Sequence, residues 1–470
     1  MSKEELKECI FVTGRIVNMS PLVIGNGEGD FSDVEILKDD DGWPYIPGTS
    51  FFGTVKSFII KNYDTESKLN KTIFDYLFGS EESQSHFIVN DMFALNKDSN
   101  KDTPVEVRDA IRINQSYDVV DEQAKYDFEI VSKKLEFNFM WEIKLFSFEF
   151  AKREIILKFL KTILKDLKEG KIRIGAMTNK GFGKILLKDC EILDFRFPEH
   201  AYEYFDFIVS KTKDSKNMLK ILDDDNIGTL DAKAIDRFSI KALFSIKSSL
   251  IIGKFESDIS EVKQPDKTHL KWDDKPTLTG KSIRGAIRKR AIQILNTISN
   301  NAEISNDIIN ELFGYVCENH SKSDKNLTGK KGKLYIEESR IDNVIEDVQT
   351  RIKIDRFTGG VIEGALFQSK PVWSKDEKPN FAMELWLEDP KDEEIGLILL
   401  ILKDLWVGDL AIGGEKSIGR GVLQGISADI CIGKQNISIY KDGEKLKIEN
   451  GTADDLERYV QALLRKLERW

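Results

Sequence analysis

Residues 44–56 read PYIPGTSFFGTVK, and residues 276–288 read PTLTGKSIRGAIR. Gly48 matches Gly280 at an offset of 232 positions, and the later glycine and the final basic residue of each stretch match at the same offset. Each stretch predicts an extended segment, a glycine turn, a Ser/Thr N-cap and a helix that carries a basic residue. Because backbone N–H groups and the helix dipole point to one place at such a turn, it suits the binding of a phosphate.

Further paired landmarks, in the same order, indicate that the chain contains an internal duplication. Residues 8–24 and 238–252 each predict a strand that ends at a glycine. The pairs that follow are helix ends at 76–79 and 311–314, strands at 85–89 and 332–336, helices at 151–168 and 394–405, and Gly-x5-Gly-x-Gly loops at 175–183 and 413–421. Each half therefore predicts the order β–α–β–insertion–β–α–β, which describes a ferredoxin-like or RRM-like α+β unit.

This duplication predicts four regions along the chain. Residues 1–208 form a first domain, the acidic segment within 209–235 forms a linker, and residues 236–425 form a second domain. Residues 426–470 predict an extension made of a hairpin and an amphipathic helix.

The composition is that of an ordinary folded protein. The chain has 470 residues, of which 41% are hydrophobic and 32% charged, and no run of 18 apolar residues or signal-peptide pattern is present. Its four cysteines are far apart and suggest no disulfide framework, so we expect a cytoplasmic location. The net charge of −10 argues against non-specific coating of nucleic acid, although 70 Lys and Arg residues leave room for a local basic groove.

The chain resembles the RAMP backbone subunits of type III CRISPR effectors, RRM-like proteins that line up along a guide RNA and cut the paired target RNA. The resemblance rests on the PYIPGTSFFG segment, the Leu-Phe-Gly helix ends and the glycine-rich loop of each half. It covers roughly residues 1–190 and 238–425. The chain thus looks like two backbone subunits fused in tandem, an arrangement known from the type III-D branch among others.

The resemblance implies a catalytic aspartate in the loop before each glycine turn. Asp33 lies fifteen positions before Gly48, and Asp266 lies fourteen positions before Gly280. These residues would assist attack of the neighbouring RNA 2′-OH by orienting the nucleophile or by holding Mg²⁺ or another divalent cation. Other aspartates near these loops are rival candidates: Asp30, Asp258, Asp273 and Asp274.

Basic and hydroxyl side chains along both halves are candidates for RNA binding. Lys281, Arg284 and Arg288 fall on one face of the second glycine-turn helix, where they could follow a phosphate backbone. Residues 350–367 resemble the family's thumb-like insertion, which wedges between nucleotides, and residues 107–126 resemble it more weakly. The full set is Ser50, Lys56, Lys180, Lys184, Lys281, Ser282, Arg284, Arg288, Arg351, Arg356, Lys416 and Arg420.

The expected partners are a CRISPR guide RNA, a single-stranded target RNA, a large signalling subunit, small subunits and other RAMP subunits, with no membrane contact. Two alternatives stay open. The chain could be a non-catalytic RNA-binding backbone, or a guide-processing endoribonuclease, an activity that usually relies on His and Lys. Among the four histidines only His269 lies in a candidate active loop.

Three motifs that suggest other ligands are incomplete. Thr-Gly-Lys-Ser at 279–282 has Lys275 where a P-loop needs its first glycine. The acidic run 39–42 has Ser50 where a calcium loop needs its bidentate Glu. Cys317 and His320 have half of the spacing of a zinc site without a second pair, so we expect no zinc there.

Overall fold

The computed structural model describes residues 5–27, 32–95, 97, 103–113, 120–131, 134–147, 152–210, 218–254, 265–299, 301–316, 329–443 and 445–468. The chain divides into two compact units. The first unit comprises Met1–Val107, Asp127–Thr178 and Phe182–Ala234, and the second unit comprises Arg108–Tyr126, Asn179–Gly181 and Ile235–Trp470.

The elements of the first half, in chain order, are β1 Leu6–Asn18, β2 Gly25–Gly27, β3 Glu35–Ile36, β4 Tyr45–Ile46, α1 Gly48–Asn62, α2 Lys68–Phe78, β5 Phe87–Val89, β6 Met92–Phe93, β7 Val105–Ile113, β8 Val120–Val131, β9 Glu136–Phe146, α3 Arg153–Lys168, β10 Ile185–Arg196 and α4 Ala201–Ser210.

Those of the second half are β11 Arg237–Ile246, β12 Ser249–Leu250, β13 Gly253–Lys254, β14 Lys267–His269, β15 Lys271–Trp272, β16 Lys275–Leu278, α5 Gly280–Ile298, α6 Ala302–Phe313, β17 Gly314–Val316, β18 Gly329–Lys331, β19 Leu334–Ile336, β20 Ser339–Arg340, β21 Val344–Glu346, β22 Gln349–Ile354, β23 Val361–Lys370, β24 Val372–Ser374, β25 Phe381–Glu388, α7 Asp392–Val407, β26 Leu423–Ile432, β27 Gln435–Asp442, β28 Lys445–Glu449 and α8 Ala453–Glu468.

The central sheet of the first unit is antiparallel, with strand order β10-β1-β9-β5. In chain order, helices follow β1 and β9, the first and third strands of this sheet, which is the ferredoxin-like arrangement. Alternate residues of β1 face opposite sides because side chains alternate along a strand. Ile10 and Val12 join the main core with α1 and α3, whereas Cys9 and Phe11 form a smaller core with Phe207 of α4.

The second unit repeats this sheet as β19-β25-β11-β26 and extends it with β27 and β28. Helix α8 lies against α7 so closely that a Cβ at Gly396 would lie 2.2 Å from the Tyr459 carbonyl oxygen. Tyr459 and Leu463 belong to the same core as the central strands. The predicted α+β class, with two ferredoxin-like units in tandem, is confirmed.

Each half inserts an antiparallel hairpin before its third central strand. In the first half it is β7–β8, although the sequence resembles a thumb only weakly there, and in the second half it is β22–β23. The single strands expected over 8–24 and 238–252 are both interrupted. Strand β1 ends at Asn18. Pro21 has no N–H to donate to a neighbouring strand, and its carbonyl oxygen accepts a hydrogen bond from the Gly183 N–H.

The glycine turn works differently from the sequence-based expectation. Helix α1 begins at Gly48 with Pro47 as N-cap, so a Ser/Thr N-cap is wrong for the first unit, whereas the Thr279 side chain does cap α5. A Cβ at Gly48 would lie 2.3 Å from the Val89 carbonyl oxygen. The glycine therefore permits close packing of the helix start on the end of β5, and its N–H donates to Asp91 Oδ1 at 2.7 Å.

Candidate functional site

Asp33 is exposed and is tied to the second strand of the first hairpin. Its Oδ2 accepts a hydrogen bond from the Asp127 N–H at 2.9 Å, and its own N–H donates to Asp127 Oδ1 at 3.0 Å. The next residue, Val34, forms a parallel bridge with Phe128. The carboxylate is thus held at the surface by backbone contacts at the base of the hairpin.

Asp266 makes the same contact in the second unit. Its Oδ2 accepts a hydrogen bond from the Gln368 N–H at 2.7 Å, and the next residue, Lys267, pairs in parallel with Ser369. Each aspartate therefore directly precedes a residue that pairs in parallel with a hairpin strand. Its carboxylate accepts the N–H of the residue directly before that pairing partner. The two aspartates thus occupy matching places. The one-residue difference in their sequence separation from Gly48 and Gly280 therefore arises in the segments that follow them.

The two sites differ in the partner residue. Asp127 supplies a second carboxylate beside Asp33, whereas Gln368 supplies an amide, whose Nε2 lies 3.3 Å from Thr350 Oγ1. No group of three or more His, Cys, Asp or Glu side chains among the described residues is arranged to hold a metal ion. Among the described residues, a cation at the first site would have two carboxylates at most.

A further contact fixes the base of each hairpin, and its chemistry differs between the two units. In the second unit Arg420 is buried, and its guanidinium contacts Glu415 Oε2 at 3.0 Å, Gln349 Oε1 at 2.6 Å and Ser369 Oγ at 3.2 Å. Its counterpart in the first repeat is Phe182, which is buried against Phe128 with ring centroids 6.3 Å apart. An ionic contact and an aromatic contact thus hold the strands that carry Gln368 and Asp127.

A cluster of basic side chains lies around the start of α5 in the second unit. Lys281 Nζ donates to the Tyr126 hydroxyl at 2.6 Å and lies 4.3 Å from the centroid of that ring. Burial, with the charge of Lys180, lowers the pKa of Lys281 to about 7. Burial and the charge of Arg284 likewise lower the pKa of Lys180. A bound anion would relieve this mutual repulsion.

Two arginines continue the basic cluster along α5. Arg284 is buried, and burial followed by the charge of Arg288 lowers its pKa to about 10. Burial also lowers the pKa of Arg288, whose Nε has no hydrogen-bond partner among the described residues. Lys180, Arg284 and Arg288 form no ion pair with a carboxylate in the described part of the chain, so these three residues place several positive charges close together.

Several predicted RNA-binding residues have partners inside the protein. Lys56 Nζ donates to the carbonyl oxygens of Phe78 and Gly79 at the end of α2, at 3.1 and 3.0 Å. Arg284 does the same for α6 through the carbonyl oxygens of Leu312 and Phe313. The charged groups of Lys56, Arg284 and Arg420 therefore stabilise helix ends and a hairpin base.

The glycine-rich loops are closed by backbone hydrogen bonds. The N–H groups of Ile174 and Ile412 donate to the carbonyl oxygens of Gly183 and Gly421 at 2.9 and 3.0 Å, and the three glycines of the Gly-x5-Gly-x-Gly pattern in each loop have positive φ. The remaining candidates are half-buried or exposed in or beside helices and loops: Ser50, Lys184, Ser282 and Lys416.

The surface of the second hairpin, β22–β23, is exposed and largely aliphatic. Ile352 pairs with Leu366 and Ile354 with Val361, all at least half exposed. Phe357, at the tip, is fully exposed. Arg356 beside it is exposed, whereas Arg351 Nη1 lies 2.9 Å from Glu415 Oε2.

Some further sequence candidates are placed elsewhere. His269 is buried, accepts the Ile252 N–H on Nδ1 at 3.3 Å and has its pKa lowered to about 4 by burial, so it does not face RNA as an acid or base. Asp273 binds Arg340, and Asp274 occupies a left-handed turn. Asp30, Asp258, Cys317 and His320 lie outside the described residues.

Sequence reasoning missed the partners Asp127, Gln368 and Tyr126, because each contact spans a long sequence separation. It also missed an identical pentapeptide, ILKDL, at 163–167 and 401–405. That pentapeptide repeats at the same offset as the glycine-rich loops, so alignment of the two halves could have found it.

Comparison with known families gives one match. The model of the RAMP superfamily matches residues 15–186 and 243–424. No curated protein matches the chain. No helix in the described part of the chain is long and apolar enough to cross a membrane.

Proposed function

The chain belongs to the RAMP superfamily, and we propose that it is a tandem backbone subunit of a type III CRISPR complex that binds guide RNA and cleaves the paired target RNA. The superfamily comprises CRISPR-associated RNA-binding subunits that work with RNA and other subunits, and some members are endoribonucleases. The finer proposal rests on the two aspartate sites.

The observation that carries the proposal is the repeated setting of Asp33 and Asp266. Both carboxylates are exposed, and both accept one backbone N–H from the matching strand of a hairpin. A solvated loop aspartate without a role has no need of such a contact in both halves of a duplicated chain. The repeat supports a shared function at both positions.

The chemistry we propose is attack of an RNA 2′-OH on the adjacent phosphodiester: a bond forms between O2′ and phosphorus, the bond from phosphorus to O5′ breaks, the 2′-OH proton passes to the aspartate or to water, and the leaving 5′-oxygen takes a proton from water. The N–H of Asp127 or Gln368 orients the aspartate through Oδ2, and its Oδ1 would accept a hydrogen bond from the 2′-OH. Positioning of the attacking oxygen in line with the leaving group supplies much of the rate enhancement in such a reaction.

The donor groups fit a divalent cation such as Mg²⁺, which proteins usually bind through one or two carboxylates and substrate phosphates. Asp33 with Asp127 would hold it at the first site, and Asp266 with the Gln368 amide oxygen at the second. When bound, it would stabilise negative charge on the scissile phosphate.

The basic cluster of Lys180, Lys281 and Arg288 is our proposed contact with guide phosphates. Phosphodiester oxygens would supply negative charge beside Lys180 and Arg288, which form no ion pair with a carboxylate among the described residues, and the ring of Tyr126 beside Lys281 is the proposed surface for a base. The exposed Phe357 and Arg356 would separate neighbouring nucleotides, as a thumb does.

The test uses the assembled complex with guide RNA and labelled target, with Asp33→Ala/Asp266→Ala compared with wild type in Mg²⁺ and in EDTA. We expect binding of target within about twofold and loss of cleavage by at least about 100-fold, the usual scale for a lost positioned acid or base. Asp40→Ala, an exposed aspartate in the same first loop, is the control. Full cleavage by the double variant would overturn the catalytic proposal and leave the non-catalytic backbone function.

A further inference from the structure

The pentapeptide ILKDL places a buried aspartate at the end of the second long helix of each repeat. In the first unit Asp166 accepts from the Tyr63 hydroxyl at 2.5 Å and from Lys171 Nζ at 3.0 Å. In the second unit Asp404 accepts from Arg290 Nε at 2.6 Å. Asp166 thus joins α3 to Tyr63, which follows the end of α1, and Asp404 joins α7 to Arg290 within α5, so in both repeats this aspartate links the same two helices.

In the first unit an extended segment of the chain covers the space beside this framework. Leu230 is buried in the core, and its N–H donates to Thr162 Oγ1 at 2.9 Å. The Lys233 N–H donates to the Asn62 carbonyl oxygen at 2.8 Å, and the Asp231 carbonyl oxygen accepts from the Asp64 N–H at 2.9 Å. Leu230 thus fills the gap between α1 and α3, and the side chain of Asp231 beside it is exposed.

The matching space in the second unit is an open groove of about 260 Å³. By the offsets of the two repeats, Thr162 corresponds to Leu400 and Asn62 to Ile294, and both replacements line the groove together with Ile298. Leu400 thus places an aliphatic side chain where the first unit has the Thr162 hydroxyl, and the three aliphatic side chains share the lining of the groove with polar and charged ones. Helix α8 contacts α7 at Gly396, one helix turn away, and does not line the groove.

The charge at the edge of this groove favours an acidic ligand. Arg290 and Lys403 line it, and both pair with the buried carboxylate of Asp404. Two positive charges thus share one negative charge. The volume is below the 300–1,000 Å³ typical of small-molecule sites and suits one or two side chains. The aliphatic part of the lining suits a side chain such as Leu230, which fills the matching place in the first unit, and the two basic groups suit a carboxylate next to it.

We propose that this groove between α5 and α7 binds an extended segment of a partner protein that places an aliphatic side chain beside a carboxylate. The aliphatic side chain contacts Ile294, Ile298 and Leu400, and the carboxylate pairs with Lys403. The groove is a protein-docking site in addition to the RNA-binding surfaces, and it does not depend on cleavage by Asp33 or Asp266.

The test titrates the full chain with a fluorescent peptide of residues 226–234, NIGTLDAKA, up to about 1 mM. We expect saturable binding with a Kd of about 10–1,000 µM, the range for a short linear segment with one anchor. A matched peptide with serine for the leucine and lysine for the aspartate should bind at least about tenfold more weakly.

Protein variants locate the binding. Lys403→Glu, at an exposed position, and Leu400→Glu should each weaken binding by at least about fivefold, whereas Val407→Glu, exposed on the same helix but outside the groove, should leave it unchanged. Circular dichroism checks that each variant is folded. Absence of saturable binding, equal binding of both peptides, or equal binding by Lys403→Glu and wild type would overturn the proposal.

Discussion

Asp127 and Gln368 are the residues that distinguish two otherwise matching sites. A carboxylate beside Asp33 attracts a divalent cation more strongly than an amide beside Asp266. We expect the first site to reach half-maximal cleavage at a several-fold lower Mg²⁺ concentration than the second. Asp127→Asn should raise the Mg²⁺ requirement of the first site alone, and Gln368→Asp should lower that of the second. Identical Mg²⁺ titrations of both cuts would contradict a role for these partners.

Lys281 should make RNA affinity depend on pH. Its pKa of about 7 in the free protein lies far below the ordinary value, because burial disfavours the charged form. A bound phosphate favours the charged form and raises this pKa, so binding takes up a proton above pH 7 and affinity falls as pH rises. We expect a decrease approaching tenfold per pH unit between about pH 7 and 8.5.

Lys281→Arg is the matched variant for this pH dependence, because arginine stays charged throughout the range. Its RNA affinity, measured by filter binding at constant ionic strength, should be nearly flat between pH 6 and 8.5. An unchanged slope in the variant would show that another group titrates.

At the scale of single elements, the helices that begin at Gly48 and Gly280 depend on close approach of the glycine to neighbouring backbone. An added Cβ at Gly48 meets the Val89 carbonyl oxygen at 2.3 Å, whereas one at Gly53, on the same helix, meets no atom within 4 Å. We expect Gly48→Ala to lower the free energy of unfolding by about 1–3 kcal/mol and Gly53→Ala to raise it by about 0.5–1 kcal/mol. Chemical denaturation measures both, and equal effects would contradict the packing role.

The same elements show why sequence reasoning predicted some features and not others. The glycines, the helix ends at Gly79 and Gly314 and the strand order could be predicted, because periodicity and turn residues are local and each signal occurs twice. The capping of α2 by Lys56 could not, because its ammonium reaches carbonyl oxygens 22 and 23 residues away. A basic residue on a helix face has the same sequence pattern whether it binds RNA or a helix end.

For the whole molecule, duplication is what allowed function to be inferred. Neither Asp33 nor Asp266 stands out among the many loop aspartates of an acidic chain, and their spacing to the glycine differs by one residue. The hydrogen bonds to Asp127 and Gln368 place them at equivalent positions, which only the three-dimensional pairing of loop and hairpin reveals. The groove between α5 and α7 was likewise found by comparison of one repeat with the other.

The most direct measurement maps the cut positions in a target RNA bound to the assembled complex with Asp33→Ala and Asp266→Ala as separate variants. If each repeat builds its own cutting site, each variant loses a different cut, retains the other and binds target as tightly as wild type. Loss of the same cuts in both variants, or of none, would contradict two independent aspartate sites.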